Sequence, residues 1–228
     1  MHIIRIKYIK GKQVKYISHL DTLRILDRCI RRSGIPVSFS KGFNPRPNMN
    51  FALPTSVGIS SLCEFAEIEL DTQINKNIFI KTLNDNLPEG IKILEAEYVW
   101  HGDADIPNLQ KNKSLMSLVR QARYNIVLKF EILVDTNEIN DVFNLGEMIV
   151  TKSSPKKTSD VDIKPMIIQY KISDLYEQDG LNLVDINVLC LAGSSDNLKP
   201  ELIIDAIKKY ANLDIYDYEI EKEEVILE

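Results

Sequence analysis

The chain opens on a strict alternation of apolar and polar positions from His2 to Lys10, ended by Gly11. Period-two alternation puts every second side chain on one face, so it predicts a half-buried first strand. The period then changes. Ser18-His19-Leu20-Asp21 reads as a helix start, with Ser18 as N-cap and Asp21 three residues on as its partner. Leu20, Leu23, Leu26 and Ile30 follow at helical spacing as an expected buried stripe, and Gly34 with Pro36 should end the helix near Ser33. A short strand is expected over Ile35 to Ser40, then a Gly/Pro/Asn-rich loop to about Asn50. Glu64 to Leu70 alternates as a strand, Asn77 to Leu87 suits a helix closed by Pro88 and Gly90, and Ile91 to Trp100 suits another strand.

The second half repeats this order. Tyr124 to Val134 reads as a strand, Asn137 to about Leu145 as a short helix, Met148–Thr151 or Val161–Tyr170 as the next strand, and Leu181–Leu191 as a third. A helix follows from Pro200 to Tyr210, with proline placed where helices often begin, and a last strand from Asp214 to Leu227. The expected fold class is α+β, with two tandem ferredoxin-like (β-α-β-β-α-β) units. These are a basic N-terminal domain over residues 1–104, a linker over 105–120 and an acidic C-terminal domain over 121–228. The halves share an order of elements rather than residue-level similarity. Ser153-Ser154-Pro155-Lys156-Lys157-Thr158 reads as a hairpin tip.

Composition narrows the function classes. At 44% hydrophobic and 27% charged residues, the 228-residue chain has a globular balance. No apolar run approaches the ~20 residues that span a bilayer, and the N-terminus lacks a signal-peptide pattern. The expectation is a cytoplasmic protein with no membrane partner. Three dispersed cysteines, Cys29, Cys63 and Cys190, and three histidines form no metal or cluster motif, so no cofactor or metal is expected in this chain. Nor is there a Walker loop, a GxGxxG turn, a GxSxG elbow or an HExxH motif.

Charge changes the picture more. The net charge is −5, yet residues 1–50 hold eleven lysines and arginines against Asp21 and Asp27, a local +9, which leaves −14 on the remainder. Clustered like charge repels itself unless an anion relieves it, so a phosphate-bearing partner is the expectation, with docking of the acidic remainder of the chain as the alternative. On a helix, Arg24, Arg28 and Arg31 fall within about 60° of one another with Arg32 on the flank, a row able to track phosphates. Two aspartates cannot neutralise four arginines. The loop from Ser38 to Phe51 adds Lys41 and Arg46 for charge, Phe43 for stacking and Asn44 for base or backbone contacts, the mixture single-stranded RNA recognition uses. His19, near Tyr16, Ser18 and Asp21, is the candidate catalytic residue, as a general acid or base.

These residues also carry a resemblance. Tyr16-Ile17-Ser18-His19-Leu20-Asp21, Arg24, Arg28, Arg31-Arg32, Ser40-Lys41-Gly42-Phe43-Asn44-Pro45-Arg46-Pro47 and Gly58-Ile59-Ser60-Ser61 followed by Glu64 resemble the bacterial radical-SAM-linked family of uncharacterised proteins. Val161-Asp162-Ile163-Lys164-Pro165 and Asn197-Leu198-Lys199-Pro200-Glu201-Leu202 extend the resemblance over nearly the whole chain. It implies a domain fused to, or encoded beside, a radical SAM enzyme, and an RNA-related task on tRNA or rRNA. An iron–sulfur cluster and S-adenosylmethionine would then belong to the partner alone. The expected function is that of an RNA-binding accessory subunit presenting RNA to a radical SAM modification enzyme. Two alternatives stand beside it: a metal-independent endoribonuclease using His19, and a protein-interaction scaffold with a basic docking face.

Overall fold

The computed structural model describes residues 2–99, 114–154 and 157–228. The protein is mixed α+β, with mostly antiparallel sheet and five α-helices among the described residues. It divides into two compact units, one of residues 1–119 with 227–228, the other of residues 120–226. Most of the expected linker lies outside the described residues; its described end forms a helical turn and enters a strand.

In the first unit, β1 (His2–Lys10) buries Ile4, Ile6, Tyr8 and Lys10 on one face, as the alternation requires. α1 (His19–Ser33) begins at Ser18, whose Oγ accepts from the Asp21 backbone N–H at 3.2 Å, and ends at Gly34 in the left-handed region at φ 69°. Of the expected stripe, Leu26 and Ile30 are buried, joined by Thr22 and Cys29, while Leu23 is half-buried. Leu20 lies outside that buried face by its angular position and is exposed.

Next come β2 (Met49–Ala52), β3 (Ser60–Leu70), α2 (Lys76–Asn84) and β4 (Ile91–Val99). Within this unit the order is β4-β1-β3, with β2 pairing β3, all antiparallel. The strand expected at 35–40 is displaced. That segment makes only the bridges Val37↔Leu70 and Phe39↔Pro47, while Met49–Ala52 forms the ladder with Phe65–Ile68. Pro36, Pro45 and Pro47 lack the N–H that a ladder needs, so pairing shifts past them. Ile4, Ile6, Ala66, Ile68 and Leu70 meet Ile30 and Phe79 in the core. A short α3 (Leu115–Leu118) follows.

The second unit carries β5 (Val119–Phe130), α4 (Thr136–Asn144), β6 (Ile149–Ser154), β7 (Lys157–Asp162), β8 (Ile167–Ile172), β9 (Tyr176–Gln178), β10 (Leu181–Leu191), α5 (Glu201–Tyr210) and β11 (Asp217–Leu227). Its strand order is β11-β5-β10-β8, with β9 on the far end of β10. Both segments considered for its second strand are used, but differently. β6 and β7 form a separate two-stranded hairpin, and β8 is the sheet strand. Part of the expected hairpin tip lies outside the described residues. Tyr210 and Lys209 of α5 hold the hairpin's base through Ile149.

All three cysteines are free and buried. Burial pushes the Cys190 thiol up to about 12 and raises that of Cys29. Thiol chemistry needs the thiolate and access to it. The native protein is therefore expected to leave all three thiols unreacted with Ellman's reagent at pH 8, and to release three equivalents once denatured; rapid native labelling would contradict this burial. Ser18→Ala is expected to lower the unfolding free energy by about 1 kcal/mol through loss of the helix cap, measured by urea titration.

Candidate nucleic-acid interface

The first fifty residues do not place all their charge at one surface. Arg5 and Lys7 point from the outer face of β1 toward Glu67 and Glu95, at 2.7 and 3.4 Å. Lys10 is inward, 3% exposed, and donates to the Lys15 carbonyl at 3.4 Å. These three follow from strand parity. Odd positions of β1 meet acidic partners across the ladder, and even positions enter the core.

On α1 the arginine row is narrower than its spacing suggests. Arg24 pairs with Asp21 at 2.8 Å, one turn back. Arg31 bonds Asp27 at 2.6 Å, donates to the Pro45 carbonyl and lies over the Phe39 ring at 4.8 Å. Arg32 turns away, donating to the Asn86 carbonyl at 2.8 Å and to Cys29 Sγ at 3.2 Å. Arg28 is exposed, without a carboxylate partner among the described residues. Both ion pairs on α1 are solvent-exposed, so they are weak, screened by salt and open to competition from a phosphate.

The loop presents its functional groups on a closed frame. Ser40 N–H donates to the Arg46 carbonyl at 2.8 Å, and Arg46 N–H donates back to Ser40 Oγ at 3.0 Å. Asn48 N–H reaches the Ser38 carbonyl at 2.9 Å, and Ser38 Oγ reaches Asp71 at 2.6 Å. Gly42 has φ 133°, a conformation side-chain-bearing residues rarely adopt, and it carries the chain into Phe43. Lys41, Phe43, Asn44 and Arg46 are all exposed, and Phe43 wholly so. Phe39 instead takes Arg31 on its ring. Through Arg31 the loop that carries Lys41, Phe43 and Arg46 is fastened to α1, the helix that carries Arg28.

His19 is not on Arg28's side of that helix. At ~100° per residue it sits about 180° around α1 from Arg28. Its ring packs edge-on against Phe51 of β2, 5.1 Å between centroids. It lines a half-open, water-sized recess with Tyr8, Lys10, Thr22, Pro54, Thr55 and Glu64. Glu64 and Tyr8 are ladder partners, each 2% exposed. The strand pattern held the signal for this recess. Lys10 shares the inward parity of Ile4 and Ile6, and Glu64 that of Ala66 and Ile68, so each strand turns one charge into its apolar face. Among the described residues no cluster of His, Cys, Asp and Glu could hold a metal ion, and no helix is long and apolar enough to cross a membrane.

Geometry thus defines a mixed α+β protein with an exposed cationic helix-and-loop surface and a separate recess floored by buried ionisable groups. The chain belongs to the bacterial family described as "Uncharacterized protein conserved in bacteria (DUF2344)", whose model matches residues 4–200. No curated protein matches it. Among solved structures it is similar to a chain of "Crystal Structure of a Cbf5-Nop10-Gar1 Complex", at 10% identity and a TM-score of 0.48. That match covers 98% of this chain and 48% of the other, so the protein spans about half the length of the chain it matches. A likeness of that size carries no functional argument.

Burial lowers the His19 pKa below its ordinary 6.5; Glu64 draws it back up and Lys10 presses it further down. Because the folded pKa is the lower one, the unfolded chain binds the extra proton first. Stability from this group is complete above about pH 6.5 and falls as pH drops through the folded value. The His19 imidazole resonance is expected to titrate below 6.5, lower still in Glu64→Gln and higher in Lys10→Met, followed by NMR. Unchanged midpoints in both variants would remove Glu64 and Lys10 as its electrostatic neighbours.

Proposed function

We propose that this protein is an RNA-binding accessory subunit that holds a single-stranded RNA segment on the α1-and-loop surface for a radical SAM RNA-modification partner. The observation that carries the RNA reading is the fastening of the 38–48 loop to α1 by Arg31. It groups the exposed Arg28, Lys41 and Arg46 with Phe43 on an overall acidic chain. Three cations supply sequence-independent attraction to phosphates, and a fully exposed phenylalanine offers a stacking face to any base. Arg24 joins by exchanging Asp21 for a phosphate oxygen. Arg31 and Arg32 serve as framework rather than contacts.

The radical SAM partner rests on the resemblance of the YISHLD and SKGFNP segments, and any iron–sulfur cluster or S-adenosylmethionine belongs to that partner. A cytoplasmic setting goes with this reading. The strand orders within the two units support treating each as a ferredoxin-like unit, the second enlarged by the β6–β7 hairpin. The endoribonuclease reading has less support, because His19 stands across α1 from the cations and packs on Phe51. The scaffold reading shares the same surface and is separated by the experiment below.

Binding of short single-stranded RNA should weaken with salt. Arg28→Ala, Lys41→Ala and Arg46→Ala should each lower affinity evenly across sequences and flatten the log–log salt dependence by about 0.7. Phe43→Ala should cost about 1–3 kcal/mol of binding, about five- to 150-fold. Fluorescence anisotropy over a salt series reads both. Absence of RNA affinity at low salt, with an acidic protein bound instead, would overturn the reading in favour of the scaffold. Co-purification with a radical SAM protein through the intact chain tests the partner; its absence would overturn that part alone.

A further inference from the structure

The recess of Tyr8, Lys10, His19, Thr22, Thr55 and Glu64 lies outside the proposed phosphate-binding surface and has no part in it. Its cost is plain. Lys10 at 3% and Glu64 at 2% exposure have lost most of their hydration, and buried opposite charges are seldom better for stability than apolar residues of the same volume. Ionisable groups gathered in a concave, partly open site are the usual mark of ligand recognition. Its floor leaves room for about one water molecule. The lining offers both polarities: the Glu64 carboxylate accepts, the Lys10 ammonium donates, and the Thr22 hydroxyl, already donating to the Ser18 carbonyl at 3.0 Å, keeps its oxygen as an acceptor.

We propose that this recess reads the ribose 2′-hydroxyl of an RNA strand passing around the first turn of α1, and so distinguishes RNA from DNA. The inference rests on the RNA-binding reading above and specifies its substrate class. Among the parts of a nucleic-acid strand the other candidates fail. A base is far larger than the space, and a phosphate brings negative charge against Glu64 as well as bulk. The 2′-hydroxyl is neutral, water-sized, and both donor and acceptor, and it is the group by which proteins tell RNA from DNA. It donates to Glu64 and accepts from Lys10, a pair of charge-assisted bonds that deoxyribose cannot make. A strand of a few nucleotides can cross the ~10–12 Å helix diameter from the recess to Arg24 and Arg28. The exposed Leu20 and Asp21 leave that path open.

The test needs no variant at first. Wild-type protein is titrated with one mixed-sequence strand made as RNA, as 2′-fluoro RNA and as DNA, at a single salt concentration. RNA is expected to bind about tenfold tighter than either analogue, or more. Glu64→Gln and, as a milder change at the rim, Thr55→Val should bring RNA toward the 2′-fluoro level while DNA binding stays unchanged. Arg28→Ala should weaken all three strands alike. Equal binding of the three strands by the wild type would overturn the hydroxyl reading and leave the basic surface standing. Failure of the wild type to bind any of them would overturn both.

Discussion

Arg31 is the contact on which the arrangement turns. Its guanidinium meets Asp27 one turn back, the Pro45 carbonyl across the loop and the face of Phe39. A planar group with five donors and a stackable face can satisfy all three at once, as a lysine could not. The charge that made Arg31 look like a phosphate ligand is consumed in holding a proline-rich loop against a helix. That loop has few ladder bonds of its own, only the Val37 and Phe39 bridges and the Ser40–Arg46 clasp. Its two ends are held at the end of β3, by Ser38 on Glu69 and Asp71 and by Asn48 on Glu69, and Arg31 adds the tie from the loop to α1. One cation is withdrawn from the binding surface, and the positions of the others become defined.

Local signals account for what was legible in advance. The alternation of His2–Lys10, the apolar-rich Leu181–Leu191 segment and the Ser18/Asp21 cap each depend on neighbours a few residues away, and each element stands where its pattern put it. The second strand of the first unit was misplaced because pairing is a competition along the chain. Ile35–Ser40 has strand-like side chains, but Pro36 and the prolines beyond it withhold donors, and Met49–Ala52 wins the ladder. The stripe expected on α1 holds at Leu26 and Ile30 and fails at Leu20. Leu20 is apolar, but Thr22 and Cys29 hold the inward angle, and orientation decides burial where composition does not.

The candidate residues were legible as a set and not as individuals. Counting charges over residues 1–50 finds the excess but cannot assign partners, since the acids that meet Arg5 and Lys7 lie more than sixty residues away, on β3 and β4. Arg32 shows the same limit: its acceptor, the Asn86 carbonyl, is separated by 54 residues. What survives this pairing is smaller than the sum of charges and more sharply placed, with Arg28, Lys41 and Arg46 left facing solvent. The recess escaped notice for the opposite reason. Lys10 counted as one more charge and Glu64 as the start of a strand, when their inward position in the strand's parity was the informative fact.

Helix α1 therefore keeps two kinds of charge apart. On its outer side the cations are exposed, where water and salt screen them and each is worth little until a polyanion gathers several together. Beside its first turn, the lysine and glutamate lie in a space with little water, where a single hydrogen bond counts for more and an ill-fitting group is rejected. Attraction on one side without selection, and selection on the other without long reach, are complementary only if one ligand touches both. A flexible strand can do so, and a rigid duplex cannot follow the turn. On the proposed reading, that difference in stiffness, rather than any motif, favours a single strand over a double helix.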